Sequence, residues 1–195
     1  MIGNVDGMRK TKEQIIDFFQ DFIYGFIYHD IDSCIKVGAN YIVALSLLSY
    51  TEFIGGLITG NLGLEGNSKK NFNETLKYFP KAYEKAADIK LQYTIGTKIE
   101  QEKGLYEIFR CGLAHEYFIK GKNITIVWNN PNGFTARHIG FKKRYGKLIF
   151  YNNEYYRDFK NAIQEFYKEL IVKEDALKIN NFSVALNRLE SRKML

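Results

Sequence analysis

Apolar residues along this chain recur mostly at helical spacing, and the pattern changes once, near residue 123. From Lys12 to about Tyr28 the apolar positions are Ile15, Phe19, Phe22, Ile23, Phe26 and Ile27. Steps of three and four of this kind predict an amphipathic helix with a wide apolar face. Asp30 or Asp32 is placed to cap a second helix that ends near Gly60. Its Tyr41–Ile58 stretch (YIVALSLLSYTEFIGGLI) is apolar nearly all round, as the centre of a bundle is. Gly60 to Asn71 (GNLGLEGNSKKN) reads as a loop. Phe72 to Phe79 predicts a short helix, ended before Pro80, and Lys81 to Leu91 a further one. Another helix is predicted from about Thr97 to Phe118, with Leu105, Ile108, Phe109, Leu113 and Phe118 as its core contacts.

Beyond it, Asn123 to Trp128 (NITIVW) alternates and is β-branched, so it predicts a strand. Ala136 to Arg144 and Lys147 to Tyr151 predict two more, joined by a turn at Tyr145-Gly146. A long helix follows from about Glu154 to Lys178, broken at Asn180-Asn181, with a short helix after it. With no internal repeat or linker, residues 1–195 read as one domain. The expected architecture is mainly α: a helical bundle with a small antiparallel β-sheet inserted at about 123–151, before the last long helix.

Composition narrows the classes. Hydrophobic residues make up 46% and aromatics 15%, so the chain can bury a core and disorder is excluded. The net charge of +6 favours an anionic partner such as RNA. Cys34 and Cys111 form neither a CxxC pair nor a disulfide framework. Met1 to Lys12 lacks the apolar core of a signal peptide, which makes the cytoplasm the expected location. Tyr41–Ile58 is nearly long enough to span a bilayer, but it contains Glu52, Ser46, Ser49 and Thr51 and has no basic flank. A buried helix is expected there, and no membrane.

Candidate chemistry concentrates in Phe109-Arg110-Cys111-Gly112-Leu113-Ala114-His115-Glu116-Tyr117. Arginine is a permanent cation that binds phosphate in a forked geometry, and histidine exchanges protons near neutral pH. On an ideal helix Arg110 and Tyr117 share a face, whereas Arg110 and His115 stand roughly 140° apart. Gly112 is where the helix can distort. Against catalysis stands a plainer use, in which Arg110 and His115 satisfy buried partners and hold helices together. Glu52, alone in the most apolar helix, needs a counter-charge, and Arg110 is its natural partner. Cys111 and His115 are too few for a metal site, so no metal or cofactor is expected. His29 and His138 are isolated. Arg137, Lys142, Lys143, Arg144 and Lys147, interleaved with Phe141 and Tyr145, suit either a nucleic-acid grip or a solvated hairpin that protects a sheet edge.

The spacing of Arg110, His115 and Tyr117, within the phrase Leu105 to Tyr117, resembles the signature of HEPN domains (higher eukaryote and prokaryote nucleotide-binding). That resemblance implies a HEPN-like antiparallel bundle that pairs as a homodimer. It also implies a metal-independent endoribonuclease of a toxin–antitoxin or defence system, with Arg110 and His115 catalytic; Glu52, through its expected pairing with Arg110, and Cys111, directly after the arginine, are the supporting candidates. In HEPN toxins paired with a minimal nucleotidyltransferase antitoxin, the tyrosine of the motif receives AMP, which makes Tyr117 the corresponding residue. Active members usually carry Asn, Asp or His directly after the arginine, where this chain has Cys111. Two alternatives therefore stand beside the ribonuclease. One is a catalytically silent HEPN-like module that binds RNA, nucleotide or a protein; the other is a purely structural dimeric helical protein.

Overall fold

The computed structural model describes residues 8–87, 91–95, 98–104, 106–116, 124–127, 140–144 and 147–192. Its first helix, α1 (residues 12–36), opens on a reciprocal cap. The Thr11 hydroxyl accepts from the backbone N–H of Gln14, and the Gln14 side chain accepts from that of Thr11. Ile15, Phe19, Ile23, Ile27 and Ile31 are all buried, one every four residues. Steps of four overshoot an α-helical turn by roughly 40° each, so such a stripe would spiral off the core. The chain instead widens to a π-helix over Phe19–Tyr28, between α-helical Lys12–Phe18 and His29–Lys36. Wide turns fall back where α-turns overshoot, which keeps the five residues on one face. Asp30 and Asp32, expected as caps of the next helix, therefore lie inside α1. The break comes later, at Gly38, in the left-handed conformation that glycine tolerates.

Helix α2 (Asn40–Thr59) runs through the middle of the protein and ends at left-handed Gly60, as its sequence predicts. It is long and apolar enough to cross a membrane, but 56% of its apolar window is buried inside the fold. Helix α3 (Ser68–Leu76) begins within the stretch expected to be a loop and approaches α2 very closely. A Cβ on Gly55 would stand 1.7 Å from the Asn71 carbonyl oxygen. The Thr75 hydroxyl donates to the Thr51 carbonyl at 2.7 Å across the same seam. After the short α4 (Ala82–Ala87), the chain forms an antiparallel hairpin of β1 (Leu91–Ile95) and β2 (Lys98–Lys103). The apolar pattern predicts helix over residues 81–91 and again from about residue 97. The hairpin replaces both ends, because the β-branched Thr94, Ile95 and Ile99 favour strands. A π-helical turn, Tyr106–Cys111, then leads into the α-helix Gly112–Glu116, and together they form α5.

The inserted sheet is three-stranded: β3 (Ile124–Val127), β4 (Phe141–Arg144) and β5 (Lys147–Tyr151), in the order β3-β5-β4. β4 and β5 form the expected antiparallel hairpin, but β3 runs parallel to β5, pairing Ile124 with Leu148 and Val127 with Tyr151. An all-antiparallel sheet is thus corrected to a mixed one. The connection from β3 to β5, residues 128–146 with β4 inside it, is longer than the dozen or so residues that parallel pairing needs, so β3 can pair with β5 instead of its nearer neighbour in sequence. The buried Tyr83 hydroxyl, on α4, joins this sheet to the bundle. It accepts from Gly140 N–H at 2.6 Å and donates to Asp158 Oδ2 at 2.8 Å.

Two long helices follow the sheet, where one long and one short helix were expected: α6 (Asn152–Ile171) and α7 (Ala176–Arg192). The break falls at residues 172–175, where Glu174 has φ 50° and Asp175 accepts from the N–H groups of Leu177 and Lys178. Asn181, expected to end the helix, lies inside α7 and donates to the Ile58 carbonyl at 3.0 Å. Arg188 donates to the carbonyls of Gly60 and Leu62. Those carbonyls belong to the end of α2 and the loop after it, so α7 supplies donors that this helix terminus lacks. One apolar cluster runs from Ile15 to Leu186 and draws on most of these elements.

Candidate functional site

The site is built where α2, α3 and α5 meet. Ile108, Phe109 and Leu113 are buried and fasten α5 to the core, with the Phe109 ring 5.6 Å from that of Phe150. This leaves Tyr106, Glu107 and Arg110 on the outer side of the π-helical turn. Glu52 comes up from α2, and its Oε2 lies 2.6 Å from Arg110 Nε. Arg110 keeps 21% of its side-chain surface exposed and Glu52 16%. The contact is ionic and poorly aligned as a hydrogen bond, because the Nε–H is not directed at that oxygen. Among the described residues no hydrogen bond engages the two terminal nitrogens of the guanidinium. They are its forked end, the part that suits an anion.

Tyr106 was missed by sequence reasoning, although it sits four residues before Arg110, the spacing that places two helical side chains together. Its hydroxyl donates to Glu52 Oε2 at 3.3 Å, and the Arg110 Cζ stands 6.0 Å from its ring centroid. Burial, followed by the neighbouring Glu52 carboxylate, pushes the Tyr106 hydroxyl up to about 12. It therefore stays a proton donor to Glu52 through the physiological range. Lys69, at the start of α3, lies 2.7 Å from Glu107. Burial pushes the Glu107 carboxyl up, but Lys69 and backbone N–H groups outweigh it and hold the group below the ordinary Glu range.

The other candidate residues are placed less fully. Cys111 is half-buried and lies directly after Arg110 in the wide turn. His115 lies in the α-helical end of α5, where its backbone alone is described. An ideal α-helix would hold positions 110 and 115 roughly 140° apart; only the step from 110 to 111 lies in the under-wound turn, so that angle narrows only slightly. The distortion thus falls just before Gly112. Tyr117 and Arg137 lie outside the described residues. Lys142, Lys143 and Arg144 are on β4 and Lys147 on β5, with Arg144 opposite Lys147 in register. β4 is an edge of the sheet. Among the described residues no three His, Cys, Asp or Glu side chains converge as metal ligands.

Charge is unevenly spread along the chain. Residues 61–150, which include α5 and the basic strands, hold 16 Lys and Arg against 8 Asp and Glu. Residues 1–60 hold 4 against 7. The positive balance therefore lies in the part of the sequence that carries Arg110. No protein-family model, curated protein or solved structure matches the chain.

Proposed function

We propose that this chain is a HEPN-like protein that acts on RNA, as a metal-independent endoribonuclease of a toxin–antitoxin or defence system. One observation carries the reading: Arg110 is held from behind by Glu52 at 2.6 Å while its forked end has no hydrogen-bond partner among the described residues. A guanidinium oriented in this way is suited to stabilising charge on phosphoryl oxygens, in a protein that is basic in this part of its sequence. His115, five residues on in the same helix, would serve as the base. It takes the proton of an RNA 2′-hydroxyl as that oxygen attacks phosphorus. The P–O5′ bond then breaks, and the leaving oxygen takes a proton from the imidazolium of a second motif. The products are a 2′,3′-cyclic phosphate and a 5′-hydroxyl. One copy offers few groups for this, so the working unit is a homodimer in which two α5 helices approach each other. Tyr117 is then the site for AMP attachment by a nucleotidyltransferase partner, placing an anion on the helix that carries Arg110.

The test is incubation of purified protein with RNA in EDTA. Arg110→Ala and His115→Ala should each lower cleavage by about 100-fold or more without unfolding the chain, and EDTA should change nothing. Cys111→Asn restores an amide beside the arginine and should raise a weak activity. Cleavage that requires a metal, or that survives His115→Ala, sinks the reading. A folded dimer that cleaves nothing in any variant favours the second reading, a catalytically silent module. Glu52 is the observation on that side, since its carboxylate offsets the charge that Arg110 would offer to a phosphate.

A further inference from the structure

Helices α1 and α7 leave a cleft of about 350 Å³ between them, lined by Lys10, Gln14, Asp17, Phe18, Asp21, Phe22, Leu186, Leu189 and Glu190. We propose that this cleft receives a lysine- or arginine-bearing amphipathic helix of a partner protein, separately from any RNA at Arg110. Part of its lining is apolar: the rings of Phe18 and Phe22 stack at 5.3 Å, with Leu186 and Leu189 from α7. Past the cleft the stack continues, with Phe26 5.5 Å from Phe22 and 49% exposed. The outer two of these three rings are thus at most about 11 Å apart, about two turns of a docking helix. A groove between two helices that offers apolar contacts at this repeat is what a third helix fills.

The rim fixes the charge of the occupant. Lys10, the one basic lining residue among the described residues, is already held by both Glu190 oxygens, at 2.8 and 3.0 Å. Asp17 and Asp21 are exposed and have no ion pair among the described residues. They stand four apart on one helix, a spacing at which like charges repel. On a chain of net charge +6, an unrelieved acidic pair beside two half-buried rings and the exposed Phe26 is complementary to a cation on an apolar helix. Asp21 and Phe22 also belong to the π-helical stretch, a geometry that recurs at functional sites.

The test uses the full chain and two labelled peptides of about 14 residues, one with leucines at helical spacing and lysines elsewhere, the other with glutamates for the lysines. By fluorescence anisotropy the basic peptide should bind at least about tenfold more tightly than the acidic one. Asp17→Lys with Asp21→Lys should reverse that preference, and Asp17→Asn or Asp21→Asn alone should weaken the basic peptide about threefold. Both positions are exposed, so circular dichroism and melting temperature should be unchanged. Charge reversal at Lys142, Lys143 and Arg144 should leave peptide binding intact, which separates this result from the fate of the ribonuclease reading. The proposal is overturned if the two peptides bind alike or if the double lysine variant keeps the original preference. It is equally overturned if the chain self-associates through this face and the double variant becomes monomeric, since the occupant is then a second copy.

Discussion

Arg110 Nε and Glu52 Oε2 lie 2.6 Å apart, and each of the two side chains is about four-fifths buried. Removing one partner leaves a largely desolvated charge behind, which costs more than the net value of the pair. Glu52→Ala and Arg110→Ala should each lower unfolding free energy by roughly 1–3 kcal/mol, and the double variant by clearly less than their sum. Urea unfolding of the four proteins in the cycle measures this. Additive losses would mean that the two groups do not depend on each other.

The seam between α2 and α3 gives a sharper expectation. A methyl on Gly55 would meet the Asn71 carbonyl oxygen at 1.7 Å, and backbone must move to admit it. At neighbouring Gly56 the nearest atoms are the Leu62 Cδ1 at 2.9 Å and the Leu62 Cα and Cβ at 3.0 Å, a far looser contact that a shift of a few tenths of an ångström relieves. Gly55→Ala should cost about 3 kcal/mol or more, and Gly56→Ala closer to 1 kcal/mol. Denaturant midpoints that fall equally in the two variants would contradict this contact geometry.

Buried Asp158 gives a pH dependence of known sign. Burial raises its pKa above the ordinary Asp value of 3.8, against the lowering effects of Tyr83 and Arg157. A carboxyl with a raised folded-state pKa contributes stability that is present below its unfolded pKa and lost as pH rises through the folded one. Asp158→Asn titrates nothing here. The stability of wild type relative to this variant should therefore fall as pH rises from about 3.8 through the raised value. Chemical unfolding at several pH values checks the slope, and a rising difference across that window would reverse the assignment.

Glu174 forms the corner between α6 and α7 at φ 50°, where a side chain costs about 1 kcal/mol relative to glycine. Its ion pair with Lys12, at 3.3 Å between half-exposed or more exposed groups, contributes little in return. Glu174→Gly should raise unfolding free energy by about 0.5 kcal/mol, visible as a small upward shift in melting temperature. A lower melting temperature would mean that the Lys12 pair outweighs the backbone strain.

These contacts differ in how far the sequence announces them. Glu52 and Arg110 could be paired from the chain alone, because a carboxylate in an apolar helix needs a counter-charge and few candidates exist. The apolar spacing of α2 and the left-handed glycine that closes it were legible for the same local reason. What escaped was set by tertiary contact. Asn181 looks like a helix breaker, but its side chain is taken by the Ile58 carbonyl and the helix runs on. β3 looks like the partner of the strand after it, yet a long crossover lets it pair with β5. The wide turns of α1 and α5 escaped too. A stride of four is compatible with an ordinary helix until five such residues must face one core.

The basic strands give the last test, because phosphate contacts leave a salt signature. Lys142, Lys143 and Arg144 follow one another on edge strand β4, and Arg144 is paired in register with Lys147. If they grip a single-stranded RNA backbone, each neutralised phosphate releases condensed counterions and steepens the fall of affinity with salt. Reversing all three to Glu should weaken RNA binding and flatten the slope of log affinity against log salt concentration by about 2, at roughly 0.7 per contact. Filter binding or anisotropy between about 50 and 200 mM salt spans the useful range. An unchanged slope with unchanged affinity would assign these residues to guarding an exposed edge strand, where lysine and arginine discourage pairing with another chain.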